Sequence, residues 1–434
     1  MLTRLALHWQ ILIALILAVI AGQLSGTEAG IAGVSFYAVY DFLGTLFLNA
    51  LKMLIVPLIM ASIISGIAGV GQGGSLGRLG GRTLLYYLLS SLIAILIGLT
   101  LVNLISPGIV DGEPARDIIG LQAPAAELEQ VAGKGAGDIA EVFLRMVPPN
   151  VIEAATNNGQ MLGVIFFSLL FGYFMARIEE PYAESLYTFW QGVYEVMMRI
   201  TDLVMRFAPI GVFALVARVM ADTGLGAFVP LLSFALTVLA ALALHAFVAL
   251  PLILVLVARV RPGRHYRAVA PAMLTAFSTA SSSATLPITM ECVQDNAKVS
   301  RRTSSFVLPL GATVNMDGTA LYECVAAIFI AQAYGLDLSL AQQFSIVVIA
   351  LLTSVGVAGI PAASLVAITI ILAAIGLPAE AIGLILAVDR ILDMCRTSVN
   401  VFSDSCAAVV IGKLEGEEGI LADEGMTRHK ALNR

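Results

Sequence analysis

From Trp9 to Val410 the chain is a succession of apolar runs separated by short polar breaks. A helix needs roughly 20 apolar residues to cross a bilayer. Six runs meet that need before residue 261: one in the first 26 residues, then Asp41–Val70, Thr83–Ile105, Met161–Ile178, Tyr187–Met220 and Ala227–Val260. The first, with Arg4, an apolar stretch and small residues, also has the make-up of a signal peptide. Because further spans follow at once, it reads as a retained first helix.

After Arg267 the pattern changes. Met273–Val293 is apolar at both ends but carries Ser278-Thr279-Ala280-Ser281-Ser282-Ser283-Ala284-Thr285-Leu286-Pro287 at its centre, leaving each half too short to span. Gln342–Leu377 repeats the design around Ser354-Val355-Gly356-Val357-Ala358-Gly359-Ile360-Pro361. A proline-kinked helix would explain either segment alone. Two of them predict a pair of re-entrant hairpins, because irregular backbone at membrane depth is tolerated only where it lines a cavity or is buried in protein. Such paired interruptions are the sequence mark of a transporter's central site.

Composition fits this pattern. Of 434 residues, 59% are hydrophobic and 12% charged, against about 45–50% and about 25% in soluble domains. A cytosolic enzyme and a disordered chain are excluded. The 39 glycines and low aromatic content suit close helix approach in lipid, and the net charge of −6 gives no pointer to nucleic acid. Cys292, Cys324, Cys395 and Cys406 lie in apolar contexts without CxxC spacing, so they read as small core residues. Arg78 and Arg82 follow the second span and Arg259, Arg261, Arg264 and Arg267 follow the sixth, which makes those loops cytoplasmic. The long acidic loop Gly108–Gln160, containing Pro148-Pro149, then lies outside, and both termini inside.

The remaining charge sits within the membrane. In the last span Asp389, Asp393, Arg396, Thr397, Asn400 and Asp404 fall within an arc of about 100° on a helical projection, a stripe about 22 Å long. A charge at the bilayer centre costs at least about 2.5–3.5 kcal/mol, so this stripe needs a function or internal partners. A salt-bridge ladder from Asp389 or Asp393 to Arg396 would account for two charges only. In the preceding span Asn315 and Asp317 would face opposite ways on a regular helix, and Gly318 follows, so the helix is expected to be unwound there. Free carbonyls beside a carboxylate make an oxygen cage for a hard cation such as Na⁺.

Across the two spans Asp317, Glu323, Asp389, Asp393 and Asp404 stand against Arg396, and five acids with one base require bound cations or protons. Arg396 matches a carboxylate bidentately, and helix N-termini at the hairpin tips offer N–H groups to a second carboxylate. Asp393 would take an ammonium. Two carboxylate receptors and one ammonium receptor describe an acidic amino acid.

On these residues the chain resembles the dicarboxylate/amino acid:cation symporter family, which includes the excitatory amino acid transporters and archaeal aspartate transporters. The motifs are Ser281-Ser282-Ser283-Ala284-Thr285-Leu286-Pro287, Asn315-Met316-Asp317-Gly318-Thr319 and Asp393-Met394-Cys395-Arg396-Thr397. The resemblance covers nearly the whole chain. It implies an all-α polytopic membrane protein of eight transmembrane helices plus two re-entrant helical hairpins, built as inverted repeats and working as an elevator-type homotrimeric transporter of the plasma membrane (the bacterial inner membrane).

Residues 1–82 and 111–225 would form the scaffold and trimer contacts, 83–110 and 226–413 the transport domain, and 414–434 a cytoplasmic tail. By the same resemblance Arg396 receives the side-chain carboxylate and Asp393 the ammonium, with Ser282, Thr319, Gly359, Ile360, Ser364, Thr397 and Asn400 around them. Gly311, Asn315, Asn400 and Asp404 resemble one sodium position, and Tyr87, Ser90, Ser91, Asn315 and Asp317 a second. Thr313, Ser354, Val355 and Val357 resemble a third, and Glu323 aligns with the proton-carrying glutamate. Three positions depart from relatives: Ala280 and Met394 stand where some members carry arginine, and Ser364 replaces a glycine.

The implied function is sodium-coupled symport of aspartate or glutamate, with H⁺ a further coupling ion and no prosthetic group. Symport of C4-dicarboxylates such as succinate, fumarate or malate is the alternative; Asp393 together with Arg396 favours the amino acids. An intramembrane serine protease would need a base, but His8, His265 and His429 are terminal or in loops and His245 stands alone in the sixth span. A paired-aspartate enzyme is disfavoured by Arg396, and an ATP-driven pump by the lack of a Walker loop. A passive anion channel would be separated from a carrier by uphill accumulation.

Overall fold

The computed structural model describes residues 7–71, 77–118, 144, 146–156, 161–356, 363–378 and 382–422. The protein is helical, with two short antiparallel ribbons, β1 (Gly30–Ile31) with β2 (Val34–Ser35) and β3 (Ile109–Val110) with β4 (Glu113–Pro114). The helices are α1 (Leu7–Ser25), α2 (Phe36–Gly71), α3 (Gly77–Ile105), α4 (Val151–Thr156), α5 (Met161–Met175), α6 (Tyr182–Arg206), α7 (Ala208–Thr223) and α8 (Phe228–Ala258). Then follow α9 (Pro262–Thr279), α10 (Ser282–Glu291), α11 (Arg301–Val314), α12 (Asp317–Ala333), α13 (Leu340–Gly356), α14 (Ala363–Ile375) and α15 (Ile382–Leu414).

Among the described residues α2, α3, α8 and the α11–α12 segment are long and apolar enough to cross a membrane, and α6 with α7 forms a fifth, bent candidate. Many large apolar side chains point outward, including Leu46, Leu89, Leu236, Phe247 and Leu256. Such a surface is stable only against lipid, and the chain is a multi-pass membrane protein.

Three details differ from the sequence reading. Tyr187–Met220 is not one straight span: it bends by 52° between α6 and α7, where Pro209 enters the first turn of α7 and offers no backbone N–H. The loop Gly108–Gln160 contains a helix, α4, started by Asn150, whose side-chain oxygen accepts from the Ile152 amide at 2.9 Å. Arg264 and Arg267 are helical residues in the first two turns of α9, which starts at Pro262.

The helices pack in two groups. In one, α2 lies against α5, α6 and α7, and α1 lies along α7. In the other, α3, α8, α9, α11, α13 and α14 surround α12 and α15; α7 joins the two groups through α15. Helix α12 is the axis of this second group, with every residue from Asp317 to Ala331 buried, the signature of a helix enclosed on all sides. The α9–α10 pair folds back on itself around Ala280, which sits in the left-handed region at φ 49°. Helices α13 and α14 also pack together, and their tip, 357–362, lies outside the described residues.

Helix α8 contains two π turns, His245–Ala249 and Leu254–Ala258. A π turn misaligns the backbone ladder, and the Ala246 carbonyl in the first turn accepts the Tyr266 hydroxyl from α9. Beyond α15 the chain crosses the ends of the second group. Glu415 pairs with Arg82 at 2.7 Å and Arg78 at 3.3 Å, Glu417 accepts from Ser300 and Thr303 at the start of α11, and the Leu421 amide donates to the Ala297 carbonyl.

Candidate substrate and cation sites

The unwinding expected near Gly318 is present one step earlier. Asn315 (φ −112°, ψ 94°) and Met316 (φ −122°, ψ 62°) are non-helical, so α11 ends and α12 begins with Asp317 in its first turn. A carboxylate there faces the positive end of the helix dipole. Ser91 donates to Asp317 Oδ1 at 2.7 Å and Ser90 at 3.2 Å. On the other oxygen, Ser403 donates at 2.7 Å and His245 Nε2 lies at 2.9 Å. Asn315 donates to Asp404 Oδ1 at 2.8 Å and to Ser403 at 3.1 Å.

Asp317 and Asp404 are both buried, and among the described residues neither has an ion pair with Lys or Arg. Their partners are hydroxyls, an amide and an imidazole. Beside the two nitrogens, the cluster offers the oxygens of Ser90, Ser91, Ser403, Asp317 and Asp404, the ligand type a hard cation takes. Gly311 keeps this space open: a Cβ there would stand 2.4 Å from Asp404 Oδ1 and 2.8 Å from the Tyr87 hydroxyl. Tyr87 itself donates to the Val307 carbonyl at 2.7 Å.

The structure thus brings together Tyr87, Ser90, Ser91, Gly311, Asn315, Asp317 and Asp404. Asn400 is held nearby, its oxygen accepting the Gly318 amide at 2.8 Å and its nitrogen donating to Thr319 at 3.1 Å. Thr313 and Ser354 donate their hydroxyl protons to local carbonyls, Leu310 and Leu351, which leaves the lone pairs of the hydroxyl oxygens as well as the backbone oxygens for the role the resemblance implies. Helix α11 touches α13, which puts the two segments within reach. Val355 lies at the end of α13, and Val357, Gly359 and Ile360 lie outside the described residues.

Nearer its start, α15 holds a different kind of cluster. Arg396 is 1% exposed, lies 3.8 Å above the Tyr322 ring, and pairs with Asp389 at 3.1 Å and Asp393 at 3.0 Å. Its Nε has no partner among the described residues. Arg390 completes the set, its Nη1 standing 3.2 Å from the second oxygen of Asp393. The order is Asp389, Arg396, Asp393, Arg390, alternately negative and positive. Two sequence expectations are corrected here. The count of five acids against one base omitted Arg390, which the helical arc left just outside the stripe. His245 is not alone: the α8 register aims it at Asp317.

This cluster borders a cavity of about 900 Å³. Ser282, Ser283, Thr319, Ser364, Asp389, Arg390, Asp393, Thr397 and Asn400 line it from the second helix group, and Glu195, Arg199 and Asp202 line it from α6. Arg396 lies behind Asp389 and Asp393 rather than on the wall. At the tip of the first hairpin Ser281 caps α10 by accepting from the Ala284 amide at 3.2 Å. Glu323 is buried on α12; Thr353 of α13 donates to its Oε2 at 2.9 Å, and Oε1 has no partner among the described residues.

Sequence reasoning missed His245, Ser403, Tyr322, Thr353 and Arg390 as site members. A lone histidine in an apolar span and an arginine beside the stripe were the available signals for two of them. The hydroxyl residues gave none, since serines and threonines bonding their own helix are common in membranes. The four cysteines are free.

A family model described as the sodium:dicarboxylate symporter family matches residues 7–414. The chain is 35% identical over 414 residues to a proton/sodium-glutamate symport protein of Geobacillus stearothermophilus, covering 95% of this chain and 96% of that one. It is 36% identical over 416 residues to the proton/glutamate-aspartate symporter of Escherichia coli (strain K12), covering 95% and 93%. Human excitatory amino acid transporter 3 is 35% identical over 447 residues, covering 93% and 84%.

Proposed function

The chain belongs to the sodium:dicarboxylate symporter family, and we propose that it is a secondary transporter that couples uptake of aspartate or glutamate to Na⁺, with a proton carried on Glu323. The observation that carries this reading is the adjacency of two unlike clusters. An acid pair held by hydroxyls, an amide and an imidazole, Asp317 and Asp404, lies near a charged group, Asp393 with Arg396 behind it, that borders a cavity of about 900 Å³.

In this reading the side-chain carboxylate of the substrate accepts from Arg396, whose unpartnered Nε is a buried donor waiting for an acceptor. The ammonium is taken by Asp393, and Ser282, Thr319, Ser364, Thr397 and Asn400 surround the rest. Na⁺ bound near Asp317 and Asp404 offsets their charge, so that substrate and ions bind together and neither binds well alone. The Asn400 contact with the Gly318 amide links the two clusters mechanically.

The same reading makes the second helix group, with α3, the moving body of an elevator, and α1, α2 and α5–α7 the fixed scaffold of a homotrimer. Both termini are cytoplasmic and the membrane is the bacterial inner membrane. The test is uptake into proteoliposomes with Na⁺, K⁺ and pH gradients varied independently. Aspartate is expected to accumulate under an inward Na⁺ gradient, and Asp393→Ala to abolish amino acid uptake while sparing dicarboxylates. Undiminished aspartate uptake by that variant would refute the assignment.

A further inference from the structure

Asp393 has two guanidinium partners, and they differ in kind. Arg396 is fully buried, stacked on Tyr322 and shared with Asp389, so it is fixed. Arg390 is 16% exposed, lines the cavity, touches Asp393 through a single nitrogen at 3.2 Å, and leaves its Nε without a partner among the described residues. A cation already resting on Asp393 opposes the arrival of a second, the ammonium of an amino acid. The same cation favours an extra carboxylate.

Resting on the reading of Asp393 as the ammonium receptor, we propose that Arg390 is a specificity-determining residue that sets the balance between acidic amino acids and dicarboxylates lacking an ammonium. Engaged on Asp393, it masks that acid and turns its remaining donors to a substrate carboxylate. Displaced from Asp393, it frees the acid for an ammonium. Glu195 and Asp202 line the same cavity from α6 and give the displaced guanidinium acids to turn towards. Specificity built on a repulsive element of this kind costs affinity for the substrate it opposes.

The test is labelled aspartate uptake under a Na⁺ gradient, with succinate as competitor, in wild-type and variant proteoliposomes. Arg390→Ala is expected to lower the aspartate KM by about tenfold and raise the succinate inhibition constant by about tenfold, the scale of one lost close charge contact. Arg390→Lys, which keeps the charge, is expected to stay near wild type in the ratio of the two. Arg390→Gln carries the same test should the alanine variant not assemble. Constants that move together, or a ratio that does not move, overturn the role of Arg390 alone. Wild-type protein that takes up no aspartate overturns the functional reading and this inference with it.

Discussion

Two acid clusters share helix α15, one buried and one half-buried, and solve the same problem in opposite ways. Around the break between α11 and α12, Asp317 and Asp404 are held by Ser90, Ser91, Ser403, Asn315 and His245. Along α15, Asp389 and Asp393 are held by Arg396 and Arg390. Hydroxyls and a carboxamide stabilise a carboxylate's geometry without cancelling its charge; guanidinium groups cancel it. The first cluster therefore keeps an appetite for free cations, while the second offers paired receptors to a molecule that itself carries both signs. Acids in apolar helices are thus not of one kind, and under the proposed function the identity of their hydrogen-bond donors separates the ion site from the substrate site.

The largest break in this comparison is Asp317→Asn. It removes one of the two carboxyls that lack a Lys or Arg partner among the described residues, with little change of shape, and Na⁺-driven uptake is expected to fall at least about 100-fold, as for loss of a buried charged partner. A Na⁺ dependence identical to wild type would show that the cluster is structural. Glu323→Gln probes an intermediate case, a buried carboxyl with one donor and one free oxygen. Substrate exchange is expected to survive while pH-dependent net uptake is lost; unchanged pH dependence in vesicles would remove Glu323 from the coupling.

The smallest effect is expected from Glu415, a pair outside the membrane that serves as the control. Burial raises this carboxyl slightly, but the hydrogen bond from Arg78, followed by that from Arg82, holds it below the usual range. A lowered folded value means that the pair contributes above the carboxyl's unfolded pKa and fades as pH falls through the folded one. Glu415→Gln should lower Tm at neutral pH by less than about 3 °C and leave the acid end of the profile unchanged. A large loss would assign the segment after α15 a greater part in holding the helices together.

The two clusters were unequally legible. Asp317, Asn315, Asp404, Asp393 and Arg396 stand out because a charge in an apolar run has few structural excuses, and the two interrupted segments announce broken helices through serine, glycine and proline. What the sequence hid was pairing. The arc that grouped Asp389 to Asp404 fell just short of Arg390, and helical projection carries no information on which side of a neighbouring helix a group meets. His245 looked solitary because its partner is 72 residues away. The bend at Phe207 and the start of α4 were missed for a local reason: one proline and one asparagine cap outweighed hydropathy over a single turn.

The first π turn of α8 has a consequence for how this helix can change. It holds one residue more than an α-helix would in the same length, and that residue sets the frame in which His245 faces Asp317 while the Ala246 carbonyl faces Tyr266. Deleting one residue between Phe247 and Ala249 would restore plain α-helix over the same length, so the segments before and after it would keep their facing. His245 and Ala246, adjacent and both ahead of such a deletion, would keep their places together, whereas a deletion in the regular α-helix would turn one side by about 100° against the other. The π turn is thus the stretch of α8 that can absorb a change of length, while the rest of the helix holds the ion cluster and the first hairpin together by its phase.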